Sequence, residues 1–204
     1  MKVLRSKQGS DEWFAARRGI PTASEFSRII TPKTGKLSAG VDLYIAELIA
    51  QAAGFDDAWQ GSYWADRGLM LEDEAIAWYE FEHEVSVDRI GMIIREDGAV
   101  AGSPDGLIDE DGGIEVKCPM AKNHILTMMA GDMPDKHKPQ VHGLLYLSGR
   151  KWWDYLSYCP DFEPLLIRVE PDEYTVKVGE ALEVFLLRFA QAKKLVYRPL
   201  GCAA

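Results

Sequence analysis

The stretch Ser103–Met120 carries an aspartate, a glutamate and a lysine whose spacing suits one kind of chemistry. Asp105 precedes an apolar run, while Glu115 and Lys117 alternate with apolar neighbours in the next run. Side chains of a β-strand alternate between two faces, so Glu115 and Lys117 are predicted to share one face. If 109–113 closes a hairpin, Asp105 comes near Glu115. Two carboxylates beside an ammonium group are what metal-dependent phosphodiester cleavage requires, namely oxygen ligands for Mg²⁺ and a cation near the developing charge.

The bare pattern is weak, because many strands carry Glu-x-Lys on a solvated edge. Two features strengthen it in this chain. Asp105 follows Pro104 directly, which places the aspartate at a rigid turn. The neighbours Ile114 and Val116 are apolar, which favours a central strand with no solvated face. The three charged residues are therefore predicted to form a buried cluster.

The elements that must position this cluster can be read from periodicity and from turn residues. Ser10 or Asp11 can cap a short helix that Gly19 ends, and Thr22-x-x-Glu25 is a capping-box pattern for a second short helix. Further helices are predicted over Val41–Ala53, Gln60–Glu82, Lys122–Ala130, Asp135–Leu147 and Glu173–Lys194. Strands are predicted over Val85–Arg95, Val100–Ile108, Ile114–Cys118, Trp152–Tyr158 and Leu165–Glu170. This order predicts an α/β or α+β fold, with a mixed sheet covered by helices.

The totals bound the class of protein. At 204 residues the chain, 1–204, is predicted to be one domain. No run approaches the roughly 18 apolar residues of a membrane-spanning helix, and no signal-peptide core follows Met1, so a cytoplasmic protein is expected. Three widely spaced cysteines form neither a disulfide framework nor a zinc signature. A net charge of −9 argues against a protein that coats DNA with its whole surface.

Four blocks of the sequence resemble the phage lambda exonuclease family, also called YqaJ-type viral recombinase nucleases, of the PD-(D/E)xK nuclease superfamily. The blocks are Gln8-Gly9-x-Asp11-x-Trp13 through Arg17-x-Gly19 and Thr22-Ala23-Ser24-Glu25; Gly68-x-x-x-Glu72; Ser103-Pro104-Asp105-Gly106-Leu107 with Glu115-x-Lys117-Cys118-Pro119; and Gln140-Val141. They occur in the family's order and span residues 8 to about 147. The first and third blocks are specific in combination.

The resemblance implies a restriction-endonuclease-like core and a 5′→3′ exonuclease that depends on Mg²⁺, for which Mn²⁺ can substitute. Such an enzyme uses two ions, degrades one strand of linear double-stranded DNA to mononucleotides and leaves a 3′ single-stranded tail. The resemblance also implies a homotrimeric ring, DNA ends with a 5′ phosphate as substrate, and a phage single-strand annealing protein as partner. The expected location is the cytoplasm of a bacterial host cell, without membrane contact.

The resemblance also assigns roles at the metal site. Asp105 and Glu115 would be the main metal ligands, joined by the backbone carbonyl of Val116. Glu72 would contribute to the metal site directly or through water, although by itself it reads as the solvated edge of a helix. Two metal ions would activate water and stabilise the leaving oxygen.

Two further residues would act beside the metals. Lys117 would position or polarise the attacking water and offset charge at the phosphate. Gln140 matches the family's later glutamine and would orient the water or Lys117. His142 stands where relatives often carry a second glutamine, and this departure leaves its role open.

The N-terminal block would hold the 5′ phosphate. Thr22 and Ser24 present hydroxyl groups at a helix start, which suits an anion. Arg17 matches the family's arginine, whose planar guanidinium binds phosphate oxygens bidentately. Ser103 would add a hydroxyl from beside the metal site. Trp13 is interpreted as a packing anchor.

Other readings remain open at this point. A site-specific endonuclease or resolvase shares the Asp…Glu-x-Lys core but has no need for the phosphate block. Superfamily nucleases with an iron–sulfur cluster need four cysteines, and this chain has three. A DNA-end-binding recombination protein with an inactive site would not need Asp105, Glu115 and Lys117 together.

Overall fold

The computed structural model describes residues 1–55 and 63–197. Within these ranges the chain forms a five-stranded mixed sheet and a three-stranded antiparallel sheet with helices packed around them. The α-helices are α1 (Asp11–Arg17), α2 (Val41–Ala52), α3 (Tyr63–His83), α4 (Ala121–Ala130), α5 (Lys138–Ser148) and α6 (Glu173–Val196). The strands are β1 (Lys2–Leu4), β2 (Val87–Asp88), β3 (Met92–Ile94), β4 (Ala101–Gly102), β5 (Gly106–Ile108), β6 (Gly112–Lys117), β7 (Trp152–Ser157) and β8 (Leu165–Val169). Short 3₁₀ helices cover Ala23–Arg28 and Asp135–His137.

Strand β6 lies at the centre of the larger sheet, whose order is β2-β5-β6-β7-β8. It pairs antiparallel with β5 and parallel with β7. Ile114 and Val116 of β6 pack in a cluster with Tyr79 of α3. Trp153 and Tyr155 of β7 belong to the larger core that includes α2, α5 and α6. The predicted mixed sheet flanked by helices is confirmed, and its central strand carries the Glu-x-Lys pair.

The two long strands predicted before β6 are each broken in two. The run Val85–Arg95 divides into β2 in the large sheet and β3 in the small one, and Val100–Ile108 divides into β4 and β5 in the same way. Proline has no backbone N–H to give to a ladder, so pairing stops at Pro104. In the first run, the N–H of Gly91 bonds the carbonyl of Leu4, 3.0 Å away, in the N-terminal segment. Strand β1, which pairs with β3, was not predicted from the sequence.

The helices follow the predictions closely. Ser10 caps α1, because its hydroxyl accepts from the N–H of Trp13. The predicted capping box is wrong, since Thr22 makes no side-chain cap bond to the 3₁₀ helix that follows it. The predicted start of the third helix at Gln60 lies outside the described residues. In residues 1–55 and 63–197, no helix combines the length and apolarity needed to cross a membrane.

Gly19 ends the first helical segment in the left-handed region, with φ at 69°. A Cβ atom at this position would lie 2.6 Å from the Cβ of Ala52, at the end of α2. Only glycine therefore satisfies both the backbone angle and the close approach. The turn directs the chain toward Thr22, which pairs in a parallel bridge with Ala101.

Candidate active site

The β5–β6 hairpin brings Asp105 to Glu115, as its turn residues predict. Gly106 pairs with Ile114, so Asp105 and Glu115 are the next positions along the two chains. The Oδ2 atom of Asp105 accepts a hydrogen bond from the N–H of Val116 at 2.6 Å. This bond fixes the Asp105 carboxylate against the backbone of β6, between the two charged residues of that strand.

Glu115 is 1% exposed, and its two carboxylate oxygens have different surroundings. The Oε1 atom accepts from the Nζ of Lys117 at 2.5 Å and from the Nε2 of Gln140 at 2.6 Å. Lys117 comes from the same face of β6, and Gln140 comes from α5. The Oε2 atom is buried and has no hydrogen-bond partner among the residues described. The Oε1 atom thus accepts two hydrogen bonds, whereas Oε2 accepts none from the described residues.

Burial raises the pKa values of both carboxylates in this cluster. Burial raises the pKa of Glu115 to about 8, and the charge of Asp105 adds to the shift while Lys117 opposes it. Burial also raises the pKa of Asp105 above its ordinary value. For Lys117, burial disfavours the charge, but attraction to Glu115 and Asp105 outweighs it and raises the pKa. Lys117 therefore carries a positive charge at neutral pH.

Glu72 of α3 lies near the cluster, but its carboxylate is held from outside it. The Nη2 atom of Arg89 donates to Glu72 at 2.5 Å, while the other terminal nitrogen of Arg89 contacts Asp73 at 3.1 Å. Burial raises the pKa of Glu72 to about 7, followed by repulsion from Asp105. No three His, Cys, Asp or Glu side chains of the described residues form a ready-made metal site. A role for Glu72 as a ligand stays a prediction.

The donor set nevertheless fits a hard divalent cation. A buried carboxylate oxygen without a donor is costly unless it gains a proton or a positive ion. The Oε2 atom of Glu115 is such an oxygen. A second carboxylate, that of Asp105, lies beside it. Carboxylate and carbonyl oxygens are the ligands that Mg²⁺ and Mn²⁺ prefer. Asp105, Glu115 and the carbonyl of Val116 are the residues that could hold the ion.

A second group of polar side chains forms at the end of α1, and we call Arg17, Thr22, Ser24 and Ser103 the candidate phosphate site. The Nη2 atom of Arg17 donates to the hydroxyl of Thr22 at 3.3 Å. The hydroxyl of Thr22 lies 3.4 Å from that of Ser24. Because Thr22 does not cap the helix, its hydroxyl is available to this group. The structure thus brings three of the four residues together directly.

Ser103 joins this group through Trp13. Its hydroxyl accepts from the indole N–H of Trp13 at 3.0 Å, and the guanidinium of Arg17 lies over the same indole ring. Ser103 is also two residues before Asp105 in the chain. The candidate phosphate site and the carboxylate cluster are therefore connected through one short segment.

Arg17 differs from most arginines of the protein in what holds it. Among the described residues its guanidinium contacts a hydroxyl group and an aromatic ring, and no carboxylate. Arginines that pair with carboxylates are Arg5, Arg28, Arg89, Arg95, Arg168 and Arg188. Burial lowers the pKa of Arg17, but an arginine remains charged. Its charge is thus available to an incoming anion.

Sequence reasoning missed some residues of the site. Arg89, which holds Glu72, carried no signal beyond its charge. His137 stacks on Tyr155, with ring centroids 5.5 Å apart, and Tyr155 is the strand neighbour of Glu115. Burial and then the charge of Lys117 lower the pKa of His137 to about 3, so the ring is neutral. Its place three residues before Gln140, on one helical face, was the available signal.

His142, whose role the sequence left open, contacts the start of α6 and not Asp105 or Glu115. Its Nδ1 atom lies 2.8 Å from the hydroxyl of Thr175 at the start of α6. The ring also packs against Tyr174, with centroids 5.0 Å apart. His142 therefore joins α5 to α6, and this contact stabilises the helix that presents Gln140.

Comparison with known proteins identifies the family and the fold of this chain. Residues 12–151 match the family described as YqaJ-like viral recombinase domain. The crystal structure of the alkaline exonuclease LHK-Exo from Laribacter hongkongensis matches this chain with a TM-score of 0.75 and 30% sequence identity. The match covers 91% of this chain and 97% of that chain. LHK-Exo in complex with dAMP matches with the same identity and coverage and a TM-score of 0.76.

A phage-related exonuclease from Haemophilus somnus 129PT shares the fold at 16% identity, with a TM-score of 0.61 over 87% of this chain and 96% of that chain. No curated protein is similar enough to this sequence to count as a match. The family match spans more than half of the chain, and the fold is that of LHK-Exo. The chain therefore belongs to the family of YqaJ-like viral recombinase domains.

Proposed function

We propose that this protein is a 5′→3′ exonuclease that depends on Mg²⁺ and degrades one strand of linear double-stranded DNA. The observation that carries the proposal is the carboxylate of Glu115, which is buried beside Asp105 and Lys117. Only one of its two oxygens accepts hydrogen bonds from the described residues. Family membership supports a nuclease, because the 30% identical structure is that of an alkaline exonuclease. The same protein was solved with dAMP, a mononucleotide of the class that such digestion releases.

The carboxylate cluster would be the cutting site. Asp105, Glu115 and the Val116 carbonyl would hold two divalent ions, which would supply an activated water and stabilise the leaving oxygen. Lys117 places a positive charge beside the scissile phosphate, where negative charge develops in the transition state. Its ammonium group is held by Glu115 at 2.5 Å, so it needs little reorganisation.

Two other side chains would complete this site. Gln140 holds the Oε1 atom of Glu115 at 2.6 Å and thereby directs Oε2 toward the metal position. Glu72 would contribute through water or after release from Arg89.

The candidate phosphate site would select the DNA end. Arg17 provides a charge that forms no direct ion pair with a carboxylate among the described residues, and Thr22, Ser24 and Ser103 provide hydroxyl donors. A terminal 5′ phosphate bound there would present the first phosphodiester bond to the carboxylates, because Ser103 lies two residues from Asp105. Cleavage would then release mononucleotides and leave a 3′ single-stranded tail.

Assembly and partners follow from the family resemblance. A homotrimeric ring around the DNA would make digestion processive, and a phage single-strand annealing protein would take up the 3′ tail. The setting would be the cytoplasm of a bacterial host cell. A light-scattering mass equal to one chain would contradict the ring.

The test uses linear duplex DNA labelled at either the 5′ or the 3′ end, with Mg²⁺ and with a covalently closed circle as control. We expect the 5′ label to appear at once as a mononucleotide, the 3′-labelled strand to shorten progressively, and the circle to remain intact. Lys117→Ala should abolish cleavage while DNA binding persists. Cutting of the circle would favour a site-specific endonuclease, and full activity of Lys117→Ala would rule out the proposed role of the lysine.

A further inference from the structure

We propose that Trp13 is a positioning residue that holds two members of the candidate phosphate site in place, Arg17 through its ring face and Ser103 through its N–H group. This inference rests on the proposed function, because it concerns recognition of a 5′ phosphate. It departs from the interpretation of Trp13 as a packing anchor alone.

The indole of Trp13 is buried between α1 and the small sheet. Its side chain is 8% exposed and packs with Met92 and Ala101. The Nε1 atom donates to the carbonyl of Gly91 and to the hydroxyl of Ser103, both at 3.0 Å. The acceptors lie on either side of the β3–β4 hairpin, so the ring has one orientation in which both bonds form.

The hydrogen bond from Trp13 determines what the Ser103 hydroxyl can do next. An indole N–H is a donor only, so Ser103 must use a lone pair to accept from it. Trp13 is the hydrogen-bond partner that the described residues show for the Ser103 hydroxyl. The hydroxyl proton therefore remains free to point at an anion. A phosphate oxygen is the acceptor that this arrangement suits.

The opposite contact of Trp13 determines where Arg17 lies. The guanidinium carbon of Arg17 lies 4.3 Å from the centroid of the indole ring, within the range of a cation–π interaction. Arg17 follows Trp13 by four residues on α1, so helical geometry brings the two side chains together. An aromatic face orients the guanidinium and leaves its charge in place. A paired carboxylate would neutralise that charge.

The two contacts make Trp13 a link between substrate recognition and the cutting site. Its ring positions the guanidinium of Arg17, and its N–H group positions the hydroxyl of Ser103, two residues before Asp105. Phenylalanine at this position would retain an aromatic face for Arg17 but has no donor for Ser103. The substitution therefore separates the positioning role from a contribution to packing.

The experiment measures kcat/KM of the full-length protein on duplexes with 5′-phosphate and with 5′-hydroxyl ends. We expect Trp13→Phe to lower the phosphate-to-hydroxyl ratio about tenfold, the equivalent of one hydrogen bond to a charged group, mainly through KM for phosphorylated ends. The matched control is Trp152→Phe, because Trp152 also lies under an arginine, with Arg168 at 3.7 Å, but on the β7 strand. That control should leave the ratio unchanged.

Arg17→Ala tests the candidate phosphate site independently of Trp13. If Arg17→Ala lowers the ratio and Trp13→Phe does not, the positioning role of Trp13 is overturned while the phosphate site stands. If neither substitution changes the ratio, the phosphate site itself is wrong and the inference falls with it. Should Trp13→Phe fail to fold, Ser103→Ala removes the same acceptor and must lower the ratio for the proposal to hold.

Discussion

Two carboxylates on neighbouring strands, Glu115 and Asp154, are buried to the same degree and bonded in opposite ways. Glu115 is 1% exposed and Asp154 is 0% exposed. Both oxygens of Asp154 are satisfied, by the hydroxyl of Tyr79 at 2.6 Å and by two nitrogens of Arg168 at 2.8 and 2.9 Å. Glu115 has two donors on one oxygen and none on the other. The fold thus satisfies both oxygens of the buried Asp154 carboxylate but leaves the Oε2 atom of Glu115 without a hydrogen bond from the described residues.

The register of the sheet explains why the two carboxylates do not compete for partners. Asp154 pairs with Ile114, whereas Glu115 pairs with Tyr155, so the carboxylates point to opposite faces of the sheet. Asp154 faces α3, which supplies Tyr79, and Glu115 faces α5, which supplies Gln140. Strongly perturbed, incompletely bonded groups cluster at functional sites. The difference indicates a structural role for Asp154 and supports the catalytic role that we propose for Glu115.

The largest expected effect of this difference is on cleavage. Glu115→Gln keeps the shape of the side chain but removes a charge from the proposed metal site, so we expect cleavage of linear duplex DNA to fall by about 10³-fold or more. Asp154→Asn changes a buried carboxylate on the next strand in the same manner. Its folded fraction should cut at nearly the wild-type rate. Equal losses in the two variants would erase the proposed distinction.

Stability should respond in the reverse order. Asp154→Asn replaces one accepting oxygen by an NH₂ group, which faces the hydrogen-bond donors of Arg168 and Tyr79. We expect this change to lower the free energy of unfolding by about 2 kcal/mol. In the metal-free fold Glu115 must either bind a proton or hold a half-satisfied charge, and glutamine needs neither, so the metal-free Glu115→Gln variant should unfold at a higher temperature than wild type. Thermal unfolding in the presence of a chelator measures both effects. A destabilised Glu115→Gln would contradict the account.

The gain from Glu115→Gln should depend on pH. Burial raises the pKa of the Glu115 carboxyl group from 4.5, its ordinary value, to about 8 in the metal-free fold. Between these values the unfolded state releases its proton first, so ionisation weakens the metal-free fold as pH rises. Glutamine does not titrate. The difference in melting temperature between variant and wild type should therefore grow from about pH 5 to pH 8 and then level off.

A smaller effect is expected at Gln140, which holds the bonded oxygen of Glu115. Gln140→Ala removes one hydrogen bond to a charged group, so cleavage should slow by about tenfold without loss of the metal site. Tyr146→Phe, on the same helix, is the matched control and should cut at the wild-type rate. An unchanged rate in Gln140→Ala would mean that Lys117 alone orients Glu115.

The sequence predicted the centre of this site because the chemistry lies in one hairpin. Strand alternation placed Glu115 and Lys117 on one face, and the turn between β5 and β6 brought Asp105 to them. The difference between Glu115 and Asp154 could not be predicted. It depends on Tyr79, which lies 75 residues before Asp154 in the chain.

The N-terminal part of the site was harder to predict than the hairpin. Thr22 has the pattern of a helix cap, but its hydroxyl contacts Arg17 and Ser24 instead. The sequence places Trp13 near Arg17 by helical spacing, yet the bond to Ser103 joins residues 90 positions apart. Local patterns thus gave the helix, while the donors and acceptors of the site were set by tertiary contacts.

The most direct test of the central claim, that the open oxygen of Glu115 serves a divalent cation, is calorimetric titration of the metal-free protein with Mn²⁺. Wild type and Asp154→Asn are predicted to bind the ion with similar affinity, and Glu115→Gln is predicted to bind at least tenfold more weakly. Unchanged Mn²⁺ affinity in Glu115→Gln would contradict the claim.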